Sequence, residues 1–235
     1  MWPLQHLCCM GAAKATTALA ISPMCIGMVI AGLDTLEVQA MLLSDLVAKS
    51  RSYRRFFQDH DVPLETLRQL VDLARLTPSA GNVQPLKYLL STNADQNAVI
   101  FSHLSWAAQA KGWRGPEEGE RPSAYVIILG DKRLKPTFGY GHIDQGIAAQ
   151  TILLGAAELG FGGVIVGSVR KDELAPKLDL GPEFEILLVL ALGKPKEEVV
   201  IEPLGDGGST AYWHDTDQRH HVPKRTLEDL IVRAS

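Results

Sequence analysis

Residues 143–166 read IDQGIAAQTILLGAAELGFGGVIV. Up to Leu159 the stretch carries only Asp144 and Glu158 as charges, and small and aliphatic residues fall on nearly every side of a helical projection. A helix that is apolar nearly all round lies in a core or an interface, not on a wet surface. Gly160-Phe161-Gly162-Gly163 ends it, and Val164-Ile165-Val166 opens a strand. The order helix, glycines, strand is the reverse of a dinucleotide fingerprint, which needs strand, glycines, helix. The glycines therefore read as a helix C-cap with close packing. A second reading is that Gly167 and Ser168, just past the strand, offer backbone N–H groups to a ligand.

Outward from this unit, AYVIILG at 124–130 and EILLVLALG at 185–193 are continuous apolar runs, the pattern of strands covered on both faces. A shorter strand is expected at 86–91. Pro63 sits at a helix start, and Leu64, Leu67, Leu70, Val71 and Ala74 follow at helical spacing until Thr77-Pro78 stops them. Further helices are expected at 42–49, 98–109, 171–178 and 227–233. GPEEGERP at 115–122 reads as a turn-rich loop, and 202–222 as polar and irregular. Strands and helices are interspersed with few regular βαβ units. The fold class is α+β, a mixed, mostly antiparallel central sheet flanked by helices.

The 235 residues suffice for one large domain with a real core, or for two small ones. Lys+Arg 23 against Asp+Glu 27 gives a formal charge of −4, which argues against a dedicated nucleic-acid or anionic-membrane binder. Aromatic residues make up only 6%, so the core should be mainly aliphatic. Cys8, Cys9 and Cys25 all precede Met41, so the body has no disulfide framework, thiolate metal site or cysteine nucleophile. The run 15–33 has no charge and just reaches the length of a membrane span. Ser22-Pro23 and Gly27 interrupt it, and basic flanks are thin. The favoured reading takes Met41 as the true start and residues 1–40 as an upstream leader, with a cytoplasmic body over 41–235. A membrane or export leader is the alternative.

Three stretches carry candidate chemistry. Lys49-Ser50-Arg51-Ser52-Tyr53-Arg54-Arg55 puts four cations and two serine hydroxyls in seven residues. Arg forks match phosphate oxygens, although a cation cluster alone is more often a solvated patch. Thr77-Pro78-Ser79-Ala80-Gly81-Asn82-Val83-Gln84-Pro85 is either an ordinary loop or a rigid mount for two amides, Asn82 and Gln84, that suit a flat heterocycle. His220-His221-Val222-Pro223-Lys224-Arg225 adds cations near the end. Adjacent histidines cannot both face one ion from a strand or helix, so no metal is expected there. His142 and Asp144 read as a satisfied histidine and a helix-capping carboxylate. Trp106 and Trp113 either shape a pocket or pack a structural loop. No G-x-S-x-G, Walker A or H-E-x-x-H motif occurs.

Taken in order, Arg51-Ser52-Tyr53-Arg54, then Pro78-Ser79-Ala80-Gly81-Asn82-Val83-Gln84-Pro85, then the acid-opened helix from Asp144 to Gly162, then Lys224-Arg225-Thr226-Leu227-Glu228-Asp229, the chain resembles the nitroreductase family of flavoproteins. The resemblance spans 41–235. It departs from the family's pattern at Leu86, where many relatives have an aromatic, and at Thr151, where many have Asn. It implies a nitroreductase-like fold, an FMN cofactor, NADH or NADPH as electron donor, and a homodimer. It implies that Ser50, Arg51, Ser52, Tyr53 and Arg54, with Lys224 or Arg225, hold the FMN phosphate. Pro78, Ser79, Asn82 and Gln84 would line the flavin, partly from a second subunit, and Gly167 and Ser168 would approach its ring. No catalytic side chain is required, and the acceptor would be a nitroaromatic, a quinone or a similar molecule. A reductive dehalogenase or flavin-processing relative is one alternative, and a non-catalytic FMN-binding electron-transfer module is another.

Overall fold

The computed structural model describes residues 41–106, 113, 115–135 and 141–234. The expectations for the leader at 1–40 lie outside them. In chain order the elements are α1 (Leu43–Lys49), β1 (Phe56–Phe57), α2 (Leu64–Arg75), β2 (Leu86–Ser91), α3 (Ala94–Ser102), β3 (Ala124–Asp131), α4 (Gly141–Glu158), β4 (Gly162–Val166), α5 (Lys171–Lys177), β5 (Phe184–Pro195), β6 (Val199–Pro203), β7 (Trp213–His214), β8 (His220–Lys224) and α6 (Leu227–Leu230). A single 3-10 turn, Ala80–Asn82, lies between α2 and β2.

β5 organises the main sheet. It pairs with β3 along one edge, and with β4 and then β1 along the other, while β2 extends the sheet beyond β3. All of these pairings are antiparallel. Every residue of β3 is buried, as its unbroken apolar run requires. Alternation then divides the core. Ala124, Val126 and Ile128 join Leu67 and Leu70 of α2 and Ala149, Ile152 and Ala156 of α4 on one face. Tyr125, Ile127 and Leu129 join Ile100 of α3 and Leu174 of α5 on the other. The central sheet between two helical layers is the expected α+β arrangement.

The sequence expectations differ from the structure in the minor elements. The third helix is Ala94–Ser102, not 98–109, because Asn93 caps it by accepting the Gln96 N–H at 3.0 Å. Residues 107–109 of that expectation lie outside the described residues. The final helix is one turn, opened by the Thr226 cap. The segment 202–222 is not irregular. It contributes to a second, three-stranded sheet in the order β6-β8-β7, with β6 and β8 parallel. Pro203, Pro223 and the polar turn between β7 and β8 hide strands too short to show a period. The two-residue β1 was not anticipated.

The glycines at the end of α4 hold the layers close. Gly160 takes the left-handed conformation (φ 77°) that turns the chain out of the helix. A Cβ on Gly163 would stand 2.6 Å from both the Ala191 carbonyl oxygen and a Leu192 methyl, and 2.9 Å from a Leu153 methyl. Because one of these atoms is backbone, a methyl there cannot be absorbed by a rotamer change. Gly163→Ala should therefore cost about 1–3 kcal/mol, as overpacking does. Urea unfolding should show the midpoint fall with an unchanged slope, and a midpoint equal to that of the wild type would contradict the close approach.

Candidate functional site

The basic motif after α1 is laid across the main sheet. The Tyr53 amide donates to the Gly163 carbonyl at 3.1 Å, and Ser52 forms a parallel bridge with Gly163. The Arg54 amide donates to the Glu197 carboxylate, and the Lys196 amide donates to the Arg55 carbonyl at 3.0 Å. Burial raises the Glu197 carboxyl above its usual range, against the lowering effect of the Arg54 and Arg55 amides. The Tyr53 hydroxyl donates to the Lys49 carbonyl at 2.9 Å, while its ring lies against Gly162. Burial raises the Tyr53 phenol, with Arg51 opposing.

So fixed, Ser50, Arg51, Ser52 and Arg54 open onto a cleft of about 300 Å³ that Lys224, at the end of β8, enters from the far end of the chain. Three of the cations separated by some 170 positions in sequence thus share one concave surface. Arg51 donates to the Val47 and Ser50 carbonyls, and Arg54 to the Ser52 carbonyl at 3.2 Å, which holds both side chains beside the cleft. Arg225 is exposed and does not line it, and neither does Tyr53. Gln150 and Leu153 of α4, Ile165 of β4, Val199, Tyr212, His220 and Val222 complete the wall. None of these was singled out from sequence as a wall residue, because they come from segments far apart in the chain that only the packing of the elements brings together.

The amide loop forms a separate feature at the other end of α4. Asp144 is buried, and its carboxylate accepts from the Ser79 hydroxyl at 2.8 Å and the Ala80 amide at 3.1 Å. The Ser79 hydroxyl in turn accepts the Gln84 amide at 3.0 Å. Asp144 lies inside the first turn of α4, not at its cap as expected, and clamps a neighbouring loop. The side chain of His142 lies outside the described residues. Asn82 and Gln84 both take positive φ, at 53° and 52°, a conformation that non-glycine residues adopt at a cost. The Gln84 side-chain amide donates to the Asn82 side-chain oxygen at 3.1 Å, leaving both amides exposed. Pro78, Ser79 and Gln84 line a cleft of about 220 Å³ with Asp144, Lys87 and Tyr88. From Asp144 to Gln150 and Leu153 is six to nine residues, roughly 9–14 Å along the helix. The structure therefore groups the sequence candidates into two places on one protomer, not one.

Gly167 and Ser168 are exposed just past β4, and the Ser168 carbonyl accepts the Ser105 amide at 2.9 Å. They lie beyond Ile165 on the strand whose exposed edge meets the basic cleft. Trp106 is buried, its ring tilted against Phe101 with centroids 5.5 Å apart, and Trp113 lines a third cavity.

His220 and His221 alternate across β8, as strand neighbours must. His221 lies between Glu202 at 3.0 Å and Asp215 at 3.1 Å, stacked on Trp213. The Asp215 hydrogen bond, followed by the Glu202 one, raises its pKa. His220 turns the other way, toward His214, Tyr212 and Glu197, all of which line a cavity with it. Burial, then His214 and Arg54, lower its pKa to about 4, so it is neutral. The adjacency argument against a shared metal holds for this pair, but His220 has other neighbours.

The α+β scaffold thus carries three cations and two serine hydroxyls in one cleft, with an amide-bearing loop clamped at the other end of α4. The sequence profile of the nitroreductase family matches residues 47–194. The chain belongs to the nitroreductase family. It is 30% identical over 174 residues to a protein of Methanothermobacter thermautotrophicus provisionally named NADH dehydrogenase/NAD(P)H nitroreductase, covering 72% of this chain and 86% of that one. It is 26% identical over 181 residues to the iodotyrosine dehalogenase 1 homolog of Caenorhabditis elegans, covering 66% of this chain but only 56% of the relative's length. A solved Desulfovibrio desulfuricans protein, provisionally a nitroreductase and in complex with FMN, superposes with a TM-score of 0.60 at 21% identity, over 82% of this chain and 96% of that one. A nitroreductase family protein from Clostridium difficile 630 gives 0.54 at 22% identity, over 67% and 86%. Family membership supports an oxidoreductase of the flavin-using kind in broad terms. Among the described residues no helix is long and apolar enough to cross a membrane.

The Asp144 clamp has a measurable consequence. Asp144→Ala removes the acceptor for one hydroxyl and one amide in a buried setting, which should cost about 1–3 kcal/mol. Amide hydrogen exchange at residues 79–84 should accelerate while that of β3 and β5 does not. Unchanged protection of the loop would show that the positive-φ conformation is held by something else.

Proposed function

We propose that the protein binds FMN and passes electrons from NADH or NADPH to a nitroaromatic, a quinone or a similar small acceptor. The observation that carries this reading is the convergence of Ser50, Arg51, Ser52, Arg54 and Lys224 on one cleft in a nitroreductase-family chain. An FMN phosphate carries close to two negative charges, and guanidinium, ammonium and hydroxyl donors are the groups that hold such an anion. The donor set therefore fits the cofactor. Arg51, Arg54 and Lys224 would hold the phosphate, with Ser50 and Ser52 as short-range donors. Pro78 and Ser79 with the Asn82 and Gln84 amides would face the flavin edge, and backbone N–H groups of Gly167 and Ser168 would approach the ring. Leu153 and Ile165 form an apolar wall that would keep water from the cleft. When bound, FMN would supply the redox chemistry, taking a hydride from the nicotinamide and passing electrons to the acceptor. No side chain is assigned as an essential acid or base.

The same reading includes a homodimer. One protomer already covers most of α4, including Ala148, Ala149, Ile152, Leu153, Ala156 and Ala157, so that helix alone does not require a partner. What supports a second copy is apolar surface elsewhere. α1 buries no residue, and Leu42 and Leu43 are 68% and 67% exposed. Leu227, Leu230, Ile231 and Val232 at the C-terminus are likewise exposed. The separation of the amide loop from the basic cleft also suits a flavin site shared between two chains.

A second reading rests on the dehalogenase relative. In it the same cofactor site serves reductive removal of a halogen from an aromatic ring. Steady-state assays with a nitroaromatic and with a halogenated tyrosine, each with NADH or NADPH, discriminate the two.

Purified protein should be yellow and should bleach with NADH or NADPH. A charge-assisted phosphate contact contributes about 1.5–3 kcal/mol, so Arg54→Ala should weaken FMN about 10- to 150-fold while riboflavin binding barely changes. Full flavin retention through dialysis by the Arg51→Ala/Arg54→Ala variant would remove the phosphate assignment. For the dimer, light scattering of flavin-loaded protein at micromolar concentration should give twice the chain mass, and a monomer contradicts it.

A further inference from the structure

We propose that His214, His220 and Glu197 form a transition-metal site, of which zinc is the natural occupant. A histidine nitrogen from each and a Glu197 carboxylate oxygen all lie within 4.8 Å of one another. The two histidines are a direct cross-strand pair, His214 of β7 opposite His220 of β8. Directly opposed residues project to the same face of a sheet with Cβ atoms about 4.5–5.5 Å apart, which is a spacing that two imidazoles can bridge with one ion. Glu197 comes from the turn between β5 and β6, so the three ligands tie the small sheet to the large one.

A second observation points to a ligand independently. His220 is 3% exposed, yet among the described residues neither of its ring nitrogens has a hydrogen-bond partner. Buried polar groups are nearly always paired, and an unpaired one costs free energy. The side chain faces a cavity of about 220 Å³ lined also by Glu197, His214, Tyr212, Trp113, Arg54 and Arg55. A metal ion would use one of the idle nitrogens.

Two imidazole nitrogens and one carboxylate oxygen are a borderline donor set that suits zinc, with a water in the fourth tetrahedral position. Zinc bonds of about 2.0–2.2 Å require ligand atoms roughly 3.4 Å apart. The present spacing closes if a ring rotates. His214 is exposed and is free to do so, giving up its stack on His220 at 4.7 Å. Arg54 and Arg55 oppose a dication here and the Glu197 carboxylate offsets part of that, so the affinity expected is micromolar. His220 and Tyr212 also line the basic cleft. The ion would therefore brace the wall between the two cavities, a structural role and not a redox one.

The test uses the full chain without a histidine tag, stripped with a chelator and titrated with ZnCl2 by calorimetry. The expected result is one zinc per chain at micromolar affinity and a raised thermal midpoint. Cobalt substitution should give the visible bands of a tetrahedral site. His214→Ala, at an exposed position that the fold does not need, should weaken zinc binding about tenfold or more, and His220→Gln should do the same. His221→Ala, on the opposite face of β8, should leave it. Absence of zinc binding at micromolar concentration, affinity unchanged in His214→Ala, or loss confined to His221→Ala would each overturn the assignment. All of these readouts are independent of flavin and of any turnover.

Discussion

The close approach at Gly162 and Gly163 is the constraint on which the rest of the structure depends. Here β4 runs so near its neighbours that a Cβ on Gly162 would stand 2.5 Å from the Tyr53 ring and 2.6 Å from Pro195. The bare backbone lets three things meet in one place. The end of α4 packs down through Leu153, β5 pairs alongside, and the segment after α1 crosses over the top with Tyr53 bonded to the Gly163 carbonyl. The basic motif is thereby attached to the main sheet at β4. A cluster of arginines on a free surface pays side-chain entropy for every contact it makes. Held at a sheet edge, Arg51 and Arg54 are partly ordered in advance.

The same helix serves both parts of the candidate site. At its start Asp144 clamps the amide loop, and further along Gln150 and Leu153 wall the basic cleft. α4 is thus a spacer of fixed length between the clamped loop and the basic cleft. The loop's left-handed residues would not persist without that clamp, since each costs free energy that the surrounding bonds must offset. This coupling explains how a loop of ordinary turn composition can present two amides in a fixed orientation.

The small sheet adds a different kind of order. It is held by polar contacts more than by burial. His221 is shared by two carboxylates and stacked on Trp213, and the Trp213 indole N–H donates to Glu202 at 3.0 Å. Its other face carries His220, whose ring nitrogens have no hydrogen-bond partner among the described residues. Alternation along β8 therefore makes one histidine a structural cross-link and leaves its neighbour available.

The sequence by itself determined the long strands, the apolar helix and the motif order. Continuous aliphatic runs such as AYVIILG have only one stable use, a strand covered on both faces, and GFGG can hardly continue a helix. It also determined which residues were chemically suited to an anion, because Arg, Lys and Ser side chains carry that capacity wherever they lie. Only the tertiary structure decided which of them share a surface. Lys224 joins Arg51 and Arg54 while Arg225 does not, since the strand pairing of β8 with β6 sets which side chain faces the cleft. Asp144 turned out to hold a loop 64 and 65 residues away, and His220 to face Glu197 and His214. Local pattern reports the period of an element and the chemistry of a side chain. Contacts between distant residues arise from how the layers pack, and no short window of sequence contains that information.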